Sequence, residues 1–272
     1  MISIKRLTLF LLLVLLMAPA ARASGEQPEW KYPLEPEILY DISDYIILAN
    51  RSHLLDSGYV PPDLENTKVQ RAKGTGKMQL RKAAGDALSA MFEAAKEAGY
   101  TLYLKSAYRA YSTQKYMYST RLEKYHGVDD GMVSYPGASD HQTGLGVDLL
   151  NYEWTLKDGM NKNFASAPEA QWMAAHCHEF GFILRYMEDK EEITQIKFEP
   201  WHFRYVGEEA AAYIMENHLS LEEFTEEWQA YVQAYEAGGG SLEELVRERA
   251  RLNDAVVVDY ADDGEEELSI FY

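Results

Sequence analysis

The chain has 272 residues, 47% of them hydrophobic, enough for one large or two small domains with a sizeable core. Its 44 acidic against 26 basic residues exclude a nucleic-acid binder, which needs a basic face to displace counterions, and a mean hydropathy of −0.37 excludes a polytopic membrane protein. A single cysteine excludes an internal disulfide framework and a cysteine-rich zinc site, so any metal here must be held by His and carboxylate.

Residues 1–23 read as an export signal. Lys5 and Arg6 precede an apolar run over residues 7–17, and Ala21-Arg22-Ala23 supplies a small-residue cleavage site, so a mature chain is expected from Ser24. The run is shorter than the ~20 residues of a spanning helix, which disfavours an uncleaved anchor and membrane insertion after cleavage. Residues 24–76 are rich in Pro and Tyr and predict an irregular wrap. Met78, Leu80, Ala84, Leu88, Met91 and Ala95 recur at helical spacing and predict a helix ended by Gly99. A short strand is expected at 101–104, a helix at 112–125, a glycine-bearing loop at 133–146 and a strand at 147–150. A helix is expected at 167–180, strands around Pro200 between 193 and 206, and helices from 208 to about 253. The expected organisation is a catalytic core over 77–218 followed by an acidic extension over 219–272.

Within that extension, Leu221, Phe224, Trp228, Tyr231 and Tyr235 form an apolar stripe on an otherwise acidic helix, expected to pack on the core rather than on an anionic membrane. Residues 256–258 and 268–271 flank Asp263-Gly264 and predict a hairpin. Asp259, Asp263 and Gly264 recur at calcium-loop positions, but Ala261 and Ile270 occupy two others, so the turn is expected to be merely acidic and solvated.

The densest chemical signal is Ser139-Asp140-His141-Gln142-Thr143-Gly144-Leu145-Gly146-Val147-Asp148, followed some fifty residues later by Glu199-Pro200-Trp201-His202. Two His and one carboxylate make a three-ligand zinc site whose open position holds water, and Glu199 is placed to take that water's proton. On spacing alone this stays one reading among several, because a lone His is more often a packing residue and Glu-x-x-His recurs by chance. His176-Cys177-His178 is a weaker cluster: successive helical residues point about 100° apart, so the three cannot converge on one ion. Ser112-x-x-Lys115 fits the serine motif of penicillin-binding enzymes, yet the companion Ser-Asp-Asn and Lys-Thr-Gly motifs are missing from the sequence.

Ser-x-His-x-x-Gly-x-x-x-Asp with Glu-Pro-Trp-His resembles the signature of the VanY-type zinc D-Ala-D-Ala carboxypeptidases, related to VanX-type dipeptidases and hedgehog-like zinc peptidases. The resemblance runs from about Leu48 to Gly207 and includes Tyr59-Val60-Pro61-Pro62-Asp63-Leu64, Ser106-Ala107-Tyr108-Arg109-Ala110-Tyr111-Ser112-Thr113-Gln114 and Gly181-Phe182-Ile183-Leu184-Arg185-Tyr186. It implies an α+β fold with a small, mostly antiparallel sheet flanked by helices and a zinc site at one edge. It further implies that His141, Asp148 and His202 bind zinc, that Glu199 is the general base and that Arg109 stabilises the oxyanion. Gln114, Ser139, Tyr186 and Trp201 match substrate-contacting positions. Gly146 and Met187 depart from the family's usual Ala and Pro, which puts local fit in question there. The implied partner is a peptidoglycan stem peptide losing its C-terminal D-alanine. L,D-cleavage of tetrapeptide stems, a dipeptidase and a non-catalytic wall-peptide binder are the rival readings.

Overall fold

The computed structural model describes residues 45–157 and 160–241. The expected export signal and C-terminal hairpin lie outside the described residues. Two short strands, β1 (Leu64–Asn66) and β2 (Gln79–Arg81), form an antiparallel pair ahead of helix α1 (Lys82–Glu97). The chain continues through β3 (Tyr103–Ser106), α2 (Tyr111–Lys124), a 3-10 turn over Asp140–Thr143, β4 (Gly146–Leu150), α3 (Tyr152–Thr155) and α4 (Pro168–His176). It ends with β5 (Phe182–Leu184), α5 (Glu191–Thr194), β6 (His202–Tyr205), α6 (Glu208–Glu216) and α7 (Leu221–Ala237). Strands β3, β4, β6 and β5, in that order, make a four-stranded antiparallel sheet with helices packed around it, the α+β architecture expected from the sequence.

Helix α1 buries Ala84, Leu88, Met91 and Ala95, the stripe its periodicity foretold. Its end is a Schellman closure: Tyr100 N–H donates to the Ala95 carbonyl and Gly99 N–H to that of Lys96. Met78 and Leu80 continue the stripe in sequence but not in the helix. Residues 79–81 pair with β1, and Arg81 N–H donates to the Gly144 carbonyl, so pairing overrides the helical period there. Strand β3 lies two residues later than expected, where it finds partners on β4. Between 193 and 206 only β6 is a strand. Residues 191–194 form a helical turn, and the Glu191 carboxylate accepts from Phe198 N–H, fixing the segment as a loop. The expected helix over 167–180 is α for its first part and tightens into a 3-10 turn over Cys177–Phe180.

The sheet separates an apolar core from polar chemistry by strand alternation. Val147, Leu149 and Phe203 are fully buried in the cluster that includes Leu88 and Met91 of α1. Asp148, His202 and Arg204 project from the other face, where Ile183 and Val206 meet a second cluster from α6 and α7. Helix α7 opens with a capping box, Ser220 Oγ accepting from Glu223 N–H while the Glu223 carboxylate accepts from Ser220 N–H. It seats Leu221, Phe224 and Tyr231 in that second cluster, with Trp228 packed against it. The stripe therefore packs on the core; the side chain of Tyr235 lies outside the description. Among the described residues no helix is long and apolar enough to cross a membrane.

Candidate active site

Asp148 of β4 and His202 of β6 are register partners across the sheet, so their side chains emerge side by side on one face. His202 Nδ1 lies 3.0 Å from Asp148 Oδ1. His141 reaches the same carboxylate from the 3-10 turn before β4, its Nε2 3.3 Å from Asp148 Oδ2. The turn returns to the sheet through Gly144, whose φ of +70° favours glycine; a Cβ there would come within 2.9 Å of Leu64. Gly146 allows a second close approach, since a Cβ would stand 3.0 Å from the Asp140 backbone. Ligand-type atoms of His141, Asp148 and His202 all lie within 4.8 Å of one another, and all three residues are buried.

These side chains suit a small divalent cation. His141 Nδ1 lies 2.8 Å from the Ala107 carbonyl, which can only accept, so Nδ1 carries the proton and Nε2 keeps its lone pair facing Asp148. Burial, helped by Arg109, pushes the His141 imidazole below its ordinary pKa and keeps it neutral. Burial alone would raise the Asp148 carboxyl, but the two imidazoles outweigh it and hold the group well below the usual carboxylate range. Around His202, burial opposes charge, yet Asp140, Asp148 and Glu199 lift its imidazole to about 9. That concentration of negative potential on converging N and O donors is what a cation neutralises.

The three residues line a cavity of about 210 Å³ together with Glu199, Arg109 and Ser139. Glu199 and His202 are the ends of a reverse turn: His202 N–H donates to the Glu199 carbonyl with Pro200 at the second position, where its fixed φ is preset. The turn brings Glu199 Oε2 to 3.9 Å from His202 Nδ1. Burial pushes the Glu199 carboxyl up to about 8, His202 and Arg109 pulling against it and Asp148 adding to it. A carboxylate so tuned exchanges protons near neutrality.

Arg109 Nη2 stands 3.9 Å from Asp148 Oδ2. Its guanidinium is aimed by two acceptors, Gln114 Oε1 at 2.7 Å and Ser106 Oγ at 3.0 Å. Ser106 sits opposite Asp148 because β3 carries Lys105 as an extra residue, a bulge between the pairs Leu104–Leu149 and Ser106–Asp148. Gln114 is fully buried behind Arg109, its amide nitrogen donating to the Ser134 carbonyl, and it does not line the cavity. Tyr186 and Trp201 form cavity walls, the Tyr186 ring lying 4.9 Å from that of His202. Met117, Met132 and Met160 supply wall that the sequence reading did not mark. Asp140, fully buried beside His141, occupies a place that the motif leaves unspecified.

The rival clusters are elsewhere. Ser112 and Lys115 are exposed on α2 and do not line the cavity. His176 Nδ1 lies 2.7 Å from the Glu179 carboxylate and its ring stacks on Trp172, whereas Cys177 is wholly buried with its thiol pushed up to about 12 by burial.

Comparison with known proteins fits this arrangement. Residues 77–208 match the VanY family profile, described as D-alanyl-D-alanine carboxypeptidase. The putative carboxypeptidase YodJ of Bacillus subtilis is 37% identical over 193 residues, 70% of each chain. The LdcB LD-carboxypeptidase structure superposes with a TM-score of 0.63 at 37% identity, covering 67% of this chain and 86% of that one. A vancomycin-resistance D,D-pentapeptidase VanY, solved in complex with Zn(II), superposes with a TM-score of 0.54 at 31% identity, covering 67% of this chain and 99% of that one. With family motifs, fold and buried His-Asp-His cluster in agreement, this chain belongs to the VanY family of D-alanyl-D-alanine carboxypeptidases.

Proposed function

We propose that the protein is an exported zinc carboxypeptidase that removes the C-terminal D-alanine of peptidoglycan stem peptides, with the D-Ala-D-Ala bond as its target. The observation that carries this reading is the convergence of His141, Asp148 and His202 on one buried point, with Glu199 and Arg109 facing the same cavity. His141 Nε2, the Asp148 carboxylate and His202 Nδ1 would hold the zinc. A zinc ion held there would supply a bound water with its pKa lowered toward 7 and a Lewis acid for the scissile carbonyl.

The remaining work falls to the chain itself. Glu199 takes the proton of the attacking water on its carboxylate and passes it to the leaving amine. Arg109, fixed by Gln114 and Ser106, presents its guanidinium to the oxygen on which negative charge develops. Ser139, Tyr186 and Trp201 enclose the substrate and exclude water. Export rests on the leader over residues 1–23, and the division into wrap, core over 77–218 and acidic extension belongs to the same reading.

Likeness to LdcB supports a second reading, L,D-cleavage of the tetrapeptide stem. Mass spectrometry of zinc-loaded protein incubated separately with pentapeptide and tetrapeptide separates the two. Loss of one alanine from the pentapeptide alone supports D,D-cleavage, and loss from the tetrapeptide transfers the assignment to L,D. No cleavage of either by zinc-bearing protein overturns both.

A further inference from the structure

Beneath the site lies a buried charged chain that the proposed reaction does not use. Asp140 is fully buried, and its Oδ2 stands 3.6 Å from His202 Nε2, the ring nitrogen facing away from Asp148. That nitrogen is buried with no hydrogen-bond partner, and Asp140 is the carboxylate beside it. Arg185 Nε donates to the same Asp140 oxygen at 2.9 Å, and Arg204 Nη1 donates to the other at 2.5 Å. Arg185 then turns its two remaining nitrogens outward in a fork onto Glu222, both bonds 2.7 Å.

Glu222 belongs to α7, beyond the 77–208 segment that matches the family profile. The residues before that segment join in as well: Asn50 Nδ2 donates to Glu222, and Arg204 Nη2 donates to the carbonyls of Tyr45 and Ile47. Two arginines and two carboxylates are thus buried as a neutral quartet, with side-chain exposures of at most 9%. Burying four charges costs more than an apolar packing of equal volume would, so such networks are weak sources of stability. What this one supplies is position. A rigid carboxylate at Nε2 favours the tautomer with the proton on Nε2, which leaves Nδ1 free to ligate.

We propose that the relay Glu222–Arg185–Asp140 is a positioning device that sets the tautomer and orientation of His202, making helix α7 a functional part of the metal site. The proposal rests on the zinc reading above. Asp140 and Glu222 touch neither metal nor substrate and act through His202. Their removal should weaken zinc binding before it abolishes the fold.

The test is zinc affinity by competition with a chromophoric chelator, measured on the full chain alongside melting temperature. Asp140→Asn should weaken zinc about 10–100-fold, the range for loss of a carboxylate behind a ligating His. Glu222→Gln should weaken it in the same direction but by less than Asp140→Asn, because it acts at one remove. Phe224→Leu, on the same helix but in its apolar cluster, is the control: it should lower the melting temperature while zinc affinity stays at the wild-type value. In ¹⁵N spectra of the zinc-loaded protein, His202 should show a protonated Nε2 in the wild type and lose that protection in Glu222→Gln. If Asp140→Asn fails to fold, Glu222→Gln and Phe224→Leu still decide. Should Glu222→Gln melt lower yet hold zinc as tightly as the wild type, the relay is only structural and the proposal is overturned. A wild-type chain that binds no zinc overturns the metal reading itself.

Discussion

Two places in this protein put two histidines beside a further ligand-type side chain, and only one converges. His176, Cys177 and His178 are consecutive, but their rings and thiol diverge: one ring stacks on Trp172, and the thiol is sealed in the core. His141, Asp148 and His202 come from a turn and two strands: cross-strand pairing aligns Asp148 with His202, and the turn before β4 brings His141 to the same carboxylate. Closeness along the chain is thus a poor guide to a metal site, because helical geometry fans neighbours apart while sheet register stacks distant residues on one face.

The sharpest way to break this contrast is to remove the shared carboxylate. Asp148→Ala should take bound zinc, read by elemental analysis, from one per chain to background, and activity with it. The double variant His176→Ala/His178→Ala should keep its full zinc content. If the double variant loses zinc instead, the assignment of the two clusters is reversed. Next in size is Glu199→Ala, which leaves His141, Asp148 and His202 intact: zinc should remain bound while kcat falls roughly 10²–10⁴-fold. Full turnover in that variant would remove Glu199 from the mechanism. Arg109→Ala should follow, with a loss of about 10²–10³ in kcat if the guanidinium meets the developing oxyanion.

At the quiet cluster the expected effects are small. The Cys177 thiol stays protonated up to about 12 in the fold, so iodoacetamide at pH 9 should label it only after denaturation. The sign of the linkage follows: a raised folded pKa means that the native state holds its proton longer than the unfolded chain. The thiol's contribution is therefore complete below the ordinary value of 9.0 and is lost as pH climbs from there toward about 12. Smallest of all, His176→Ala should shift stability by less than about 0.5 kcal/mol in a denaturant titration, as it removes only a partly exposed contact.

Much of the fold was legible where one local rule governed. The stripe of α1, its stop at Gly99 and the apolar face of α7 follow from periodicity and capping. Pairing decided what periodicity could not: β1, β2 and β5 are three residues each, too short to show alternation, and Leu80 follows the helical beat while lying in a strand. The convergence of His141, Asp148 and His202, with Glu199 at the same cavity, was legible because their motifs resemble a known family and each is compact in sequence. Asp140 was not. Its significance comes from Arg185 and Arg204, 45 and 64 residues away, and from a helix beyond the family segment. Gln114 shows the converse, since the matched position holds Arg109 from behind instead of lining the cavity.

The pairing of Asp148 with His202 carries one more consequence. Two candidate ligands aligned by strand register depend little on the length of chain that connects them, since closing a longer loop costs only about 0.6 kcal/mol for each doubling. Within the excursion from β4 to β6, added length is therefore tolerable only in the stretch through α3 and α4, because β5 pairs with β6 and Arg185, Tyr186 and Glu199 hold or line the site. A one-residue insertion inside β4 or β6 that shifts the register would turn Asp148 or His202 to the opposite face and disperse the His-Asp-His cluster. Searches for such centres in other genomes should accordingly hold the strand-borne motifs rigid and let the stretch through α3 and α4 float.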